Sequence, residues 1–165
     1  MIPLVLILGT LGFRALGALG VRRFSTWPVA AAHGMAVMLL LTASAHFVPA
    51  SVTVMPNHAD MVRMVPPFLP YAGALVYLTG VLELLGAVGL VIASTRKAAG
   101  YALAALFVGL LPANIHAAVA DVPFAGGEAT PLWQRIPEQI LYLVVALWVA
   151  RSSRATAPVR EEVYA

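Results

Sequence analysis

Few residues in this chain could do chemistry inside an apolar setting. Glu83 is the one acid in the long apolar run Tyr71–Ala93, and Arg14 is the one base in another, Ile2–Val21. Charges in hydrocarbon are costly, so each should face a bundle interior and meet a partner. Glu83 lies roughly 18 Å along its helix from Tyr71, near the middle of a span. Gly80, Glu83 and Ala87 share a face, since spacings of three and four return to the same side of a helix. The difference in depth between Arg14 and Glu83 corresponds to about 6 Å of rise, within reach of an extended arginine. Three readings follow. The two residues form an ion pair that locks two helices; or Glu83 carries a proton or anchors a ligand; or Arg14 snorkels to the inner surface by itself. In the first case Glu83→Gln would cost on the order of 3–5 kcal/mol, because a buried arginine would lose its counter-charge.

His46 and His116 form a second group. They fall near the outer ends of the second and fourth spans and follow stripes of small residues, Ala32, Ala36 and Ala43 in one and Ala102, Ala105, Gly109 and Ala113 in the other. Two inward imidazoles at one depth could ligate haem or a metal, or hydrogen-bond a quinone head group; each could equally bond a terminal carbonyl of its helix. No third ligand is fixed nearby, so no metal site is expected. Phe68, Tyr71 and Tyr77, with Arg63 as a charge over the opening, complete a candidate ligand site at this mouth. His58 belongs to the same outer loop as Arg63. Asn114 follows Pro112, which frees a carbonyl one turn back; Asn114 can serve that broken turn or reach a neighbouring helix. With Glu83 and Arg14 it makes up the candidate intramembrane polar site. His33 is some 20 Å from His46 along its helix and cannot share a ligand with it. No nucleophile–base pair, phosphate-binding glycine loop or paired carboxylate is present, which leans against an enzyme without deciding the question.

The elements that position these residues are read from composition. Of 165 residues, 61% are hydrophobic and 10% charged, with a mean hydropathy of +0.90; soluble domains are about 45–50% apolar and about 25% charged. This excludes a cytosolic globular protein, a disordered chain and a nucleic-acid binder. Cysteine is absent, which removes disulfides, dithiol relays and thiolate metal sites. The apolar runs predict an all-α integral membrane bundle of five helices, spanning 2–21, 28–48, 71–93, 98–120 and 132–150. The first lacks basic residues before its apolar run and is expected to be a retained helix, not a signal peptide. With the N-terminus outside, Arg22, Arg23, Arg96, Lys97, Arg151, Arg154 and Arg160 fall inside, and only Arg63 and Arg135 outside. That asymmetry follows the positive-inside rule and accounts for the net charge of +3. A multi-pass protein of the cell (inner) membrane is expected, with a polar cytoplasmic tail at 151–165 that should be disordered. The loop Pro49–Pro70 is rich in Pro, Met and Phe and should tuck into the outer mouth, with a cavity beneath Phe68. Asp121–Pro131, with Gly126-Gly127, reads as a plain turn.

The segments Ala45-His46-Phe47, Met64-Val65-Pro66-Pro67-Phe68-Leu69-Pro70, Gly80-Val81-Leu82-Glu83-Leu84-Leu85-Gly86 and Leu111-Pro112-Ala113-Asn114-Ile115-His116, in that order and spacing, resemble DoxX-like membrane proteins over about Thr42–Ala150. The resemblance implies a four-helix membrane core to which Ile2–Val21 adds an N-terminal helix. DoxX-like members include a subunit of a thiosulfate:quinone oxidoreductase, a part of a mycobacterial redox-stress complex and an animal receptor chaperone. An accessory or assembly subunit near membrane redox enzymes is therefore expected, with the bilayer and either a membrane protein or a second copy as partners. A quinone- or lipid-binding protein, which could itself be an enzyme, with a pocket in the outer half of the bundle, is the alternative, and a proton or small-solute carrier ranks after it. The topology is testable because the chain has no native thiol: a cysteine at position 96 should resist an impermeant thiol reagent applied to intact cells, and a cysteine in Pro49–Pro70 should react.

Overall fold

The structure, a computed structural model, describes residues 2–123 and 127–153. The expected polar tail beyond Ser153, with Arg154 and Arg160, lies outside the described residues, as does Gly126 of the expected turn. Seven α-helices are present among the described residues: α1 (Ile2–Ala18), α2 (Trp27–Phe47), α3 (His58–Met64), α4 (Ala72–Val91), α5 (Arg96–Gly109), α6 (Leu111–Val119) and α7 (Leu132–Ser152). A 3-10 turn at Arg22–Phe24 joins α1 to α2. Pro28 falls in the first turn of α2, where its missing N–H has no helical partner to lose. Between α5 and α6 the helix breaks at Leu110, just before Pro112.

α2, α4, α5 and α7 close a ring, in which α2 packs on α4, α4 on α5, α5 on α7, and α7 back on α2. α1 lies against the outer side of α2, and α3 crosses the loop end of the bundle in contact with α2, α4 and α6. Met35, Met38, Leu39, Leu90, Leu103 and Val149 are fully enclosed at the centre. Alanines on α2 (Ala30, Ala31, Ala32, Ala36 and Ala43) are also buried and let several neighbours approach one helix. In hydrocarbon, where tails are as apolar as leucine, this close packing is what holds helices together.

Three helical stretches are long and apolar enough to cross a membrane: Trp27–Phe47, Ala72–Val91 and Arg96–Val119. The last combines α5 and α6 across their break. The expectation of five spans is met by these three alone. α1 has 17 residues, about 25 Å of helix against a hydrocarbon core of about 30 Å. α7 has 21 residues, but Gln134, Arg135, Glu138 and Gln139 occupy its first two turns, leaving a shorter apolar stretch.

α1 and α2 cross with their backbones in close approach. A Cβ on Gly34 would stand 2.5 Å from Thr10 Oγ1 and 2.9 Å from the Leu6 carbonyl, and one on Gly9 would stand 3.1 Å from Gly34 Cα. Gly12, one turn further along α1, has open space at its Cβ position. Gly34→Ala should therefore destabilise the protein by about 1–3 kcal/mol through overpacking. Gly12→Ala should be stabilising by about 0.4–1 kcal/mol, because it restricts the unfolded chain without a clash. Thermal unfolding of both variants in detergent checks the opposite signs.

Candidate functional site

α4 carries Glu83 into the ring, and its partners come from α2. Thr42 donates to Glu83 Oε2 at 2.6 Å. His46 Nε2 stands 3.6 Å from Glu83 Oε1, an ion-pair separation too long for an ordinary hydrogen bond. His46 Nδ1 bonds the Val76 carbonyl at 2.7 Å. A carbonyl can only accept, so Nδ1 bears the proton and Nε2 is the nitrogen turned to the carboxyl. Thr79 Oγ1 lies 3.3 Å from the same Nδ1. His46 and Glu83 are 6% and 5% exposed. The cluster can form only because Gly80 faces it: a Cβ there would meet His46 Cβ at 2.6 Å.

The expected ion pair between Arg14 and Glu83 is not formed. α1 packs on α2 and not on α4, so Arg14 lies against Trp27, its guanidinium carbon 5.6 Å from the ring centroid. Its Nε is buried without a hydrogen bond. His33 occupies the same end of α2, donating from Nδ1 to the Val29 carbonyl and packed between Phe13 and Phe24 at ring separations of 5.3 and 4.9 Å.

His46 and His116 serve different neighbours. His116 Nδ1 bonds the Met64 carbonyl of α3 at 3.1 Å, fastening α3 over α6 beside a small cluster of Met64, Ala117 and Val122. A haem or quinone shared by the two rings would need a nitrogen from each, and both nitrogens of His46 are already directed at Val76 and Glu83. Among the described residues no group of three His, Asp or Glu side chains could hold a metal. His58, expected in a loop, instead opens α3; it bonds the His46 carbonyl through Nδ1 at 2.8 Å and stacks on Tyr77 at 4.1 Å. The loop 49–70 is thus anchored by α3, whose start is held by a capping box between Asn57 and Asp60. Arg63 pairs with Asp60. Phe68 and Tyr71 are 76% and 83% exposed and do not roof a cavity as expected; Tyr71 has a left-handed backbone, φ 58°, where the chain turns into α4. A shallow groove lies elsewhere, between α4 and α5, lined by Leu82, Leu85, Gly86, Ala99, Ala102 and Leu106.

Asn114 does both jobs open to it. Its Nδ2 donates to the Leu110 carbonyl at the helix break, and its Oδ1 accepts from Arg135 Nη1 at 3.1 Å. Arg135 also donates to the Thr130 carbonyl, and Gln139 donates to the Phe107 carbonyl at 2.8 Å. Thr42, Thr79, Arg135 and Gln139 are additions to the residues expected from sequence. Thr42 precedes His46 by four residues and Thr79 precedes Glu83 by four, so the shared-face spacing is a usable signal for both. Nothing local marks Arg135 as buried.

Because the partners of Glu83 are a hydroxyl and an imidazole, Glu83→Gln should be mild, below about 1 kcal/mol: the amide oxygen accepts from Thr42 and the amide N–H can face His46 Nε2. Glu83→Leu strands both groups and should cost about 1–3 kcal/mol. Unfolding in detergent measures the difference; equal losses would show that the carboxylate charge itself is required.

No curated protein and no solved structure matches the chain. A family described as a domain of unknown function (DUF8561) matches residues 35–150. That segment begins within α2, contains the Thr42–His46–Glu83 cluster and runs into the last turn of α7, leaving α1 outside. The chain belongs to the DUF8561 family.

Proposed function

We propose that the protein is a five-span integral protein of the cell membrane, with its N-terminus outside, that acts as an accessory or assembly subunit beside membrane redox enzymes. The observation that carries this reading is the use of its interior polar groups. Glu83, His46, Asn114 and Gln139 bond to one another's helices or to backbone carbonyls, as a structural lock requires, and not toward an open pocket. Two further features support spans for α1 and α7. Leu4, Leu8 and Leu11 form an exposed apolar stripe on α1, and Ile140, Val144 and Trp148 form one on α7; both suit contact with lipid. The resemblance of Gly80–Gly86 and Leu111–His116 to DoxX-like proteins supports redox enzymes as the neighbours.

Two measurements test this. The chain should remain in the membrane pellet after an alkaline carbonate wash. Removing it from its host should lower the amount of an assembled membrane oxidoreductase on native gels, and Glu83→Gln should restore that amount. A purified chain that catalyses reduction of a quinone analogue by an added electron donor, or that shows a haem absorbance band, would replace the accessory role with a catalytic one.

A further inference from the structure

The Nδ1–H of His46 is committed to the Val76 carbonyl. In a neutral imidazole the other nitrogen, Nε2, then offers only a lone pair, and it faces Glu83 Oε1 at 3.6 Å. An ionised carboxylate likewise offers only lone pairs. With His46 neutral and Glu83 ionised, two acceptors would oppose each other between residues 6% and 5% exposed. A full negative charge would also be buried, with the Thr42 hydroxyl at Oε2 as its donor; burying a charge without a counter-charge is costly. Protonating both groups only reverses the sign, leaving an imidazolium unpaired. One proton between Nε2 and Oε1 meets both demands. The pair is then neutral as a whole, and whichever atom bears the proton donates to the other.

The ionisable groups on the elements packed against this pair are turned to other partners or stand at the far end. On α3, His58 donates to the His46 carbonyl and stacks on Tyr77 of α4, so it answers the backbone of His46 and not its ring. Asp60 caps the start of α3 and pairs with Arg63. On α7, Arg135 donates to Asn114, Glu138 accepts from Gln134, and Tyr142 packs on Phe107 of α5, while Arg151 falls in the last turn. α5 carries Arg96, Lys97 and Tyr101 in its first two turns, past the opposite end of α4. Arg14 lies against Trp27, roughly 28 Å along α2 from His46, and Arg22 and Arg23 precede that same end of α2.

We propose that His46 and Glu83 form a binding site for one proton, and that this proton latches α2 to α4. When it leaves to bulk base, the pair gains one negative charge and the two helices oppose a carboxylate to a lone pair. Because the His46 carbonyl also carries His58, α3 is released from the same point. The site refines the structural lock on which the accessory role rests. It is read on the purified chain, so it fails separately from the choice of redox partner, which the native gels test.

The experiment is unfolding of the full chain in a non-ionic detergent as a function of pH, with Glu83→Gln beside it. Interacting groups of this kind titrate as a pair. Between about pH 5 and 6 the unfolded chain holds one proton on His46 and none on Glu83, as many as the folded pair, so the pair contributes no pH dependence. Above about pH 7 the unfolded chain has lost that proton and the folded pair has not. The unfolding constant should then rise roughly tenfold per pH unit, until the folded pair also lets go. Glu83→Gln, whose amide donates to Nε2 with nothing to release, should lack that rise, while the remaining histidines act alike in both chains. A second measurement needs no variant. At about pH 8, where a free imidazole is neutral and a free carboxyl ionised, infrared and nitrogen NMR spectra of the native chain should show either a protonated carboxyl or a histidine with both nitrogens protonated. Parallel pH profiles for the two chains, or a spectrum with every carboxyl ionised and every imidazole neutral, would each overturn the proposal.

Discussion

Inside a bundle of this composition there is no water to satisfy a polar group, so each one must be answered by protein. Glu83 imposes that demand most strongly. It projects from the middle of α4 into the ring, and the answer comes from α2, through the Thr42 hydroxyl and the His46 imidazole. Much of the local architecture serves this contact. Gly80 lets α4 close on His46. The Val76 carbonyl sets which ring nitrogen bears the proton. The His46 carbonyl in turn receives His58, which ties α3 and the long loop to the same point.

The two ends of the bundle are organised differently. At the α3 end, helix breaks and loop carbonyls are answered by neutral or paired groups: Asn114 at the α5–α6 break, His116 on α3, and Arg63 on Asp60. Arg135 joins this network through Asn114. At the other end, guanidinium groups answer the terminal carbonyls of α4, and Arg22 and Lys97, next to them in the chain, are exposed. The bundle thus has a polar lock at its centre, a short helix across one end and basic side chains at the other.

The charge that looked most in need of a partner, Arg14, finds an aromatic face. Trp27 lies at the start of α2, where the short turn after α1 returns the chain. Face contact with an indole partly replaces hydration for a guanidinium. It also leaves Glu83 free to pair with a residue on the helix that α4 packs against.

Composition and the period of apolar residues were enough to show an all-helical bundle, because a surplus of hydrophobic surface can be buried only against other helices or lipid. They also marked Glu83, Gly80, Asn114 and His46 as residues with a structural demand, since a polar or small residue in an apolar run always carries one. Partner choice was not legible. It depends on which helices are neighbours, and depth along the membrane normal, which sequence does provide, says nothing about position around the ring. So Glu83 and Arg14 matched in depth yet stand on helices separated by α2, and His46 and His116 matched in depth yet bond to α4 and α3. The exposure of Phe68 and Tyr71 and the burial of Arg135 and Gln139 likewise follow from where α3 and α7 settle. Tertiary packing decided these, because a side chain's neighbours across a helix interface are set by rotation about the helix axis. In a helix that is apolar on nearly every face, no polar stripe fixes that rotation, and only contact with the neighbouring helices does.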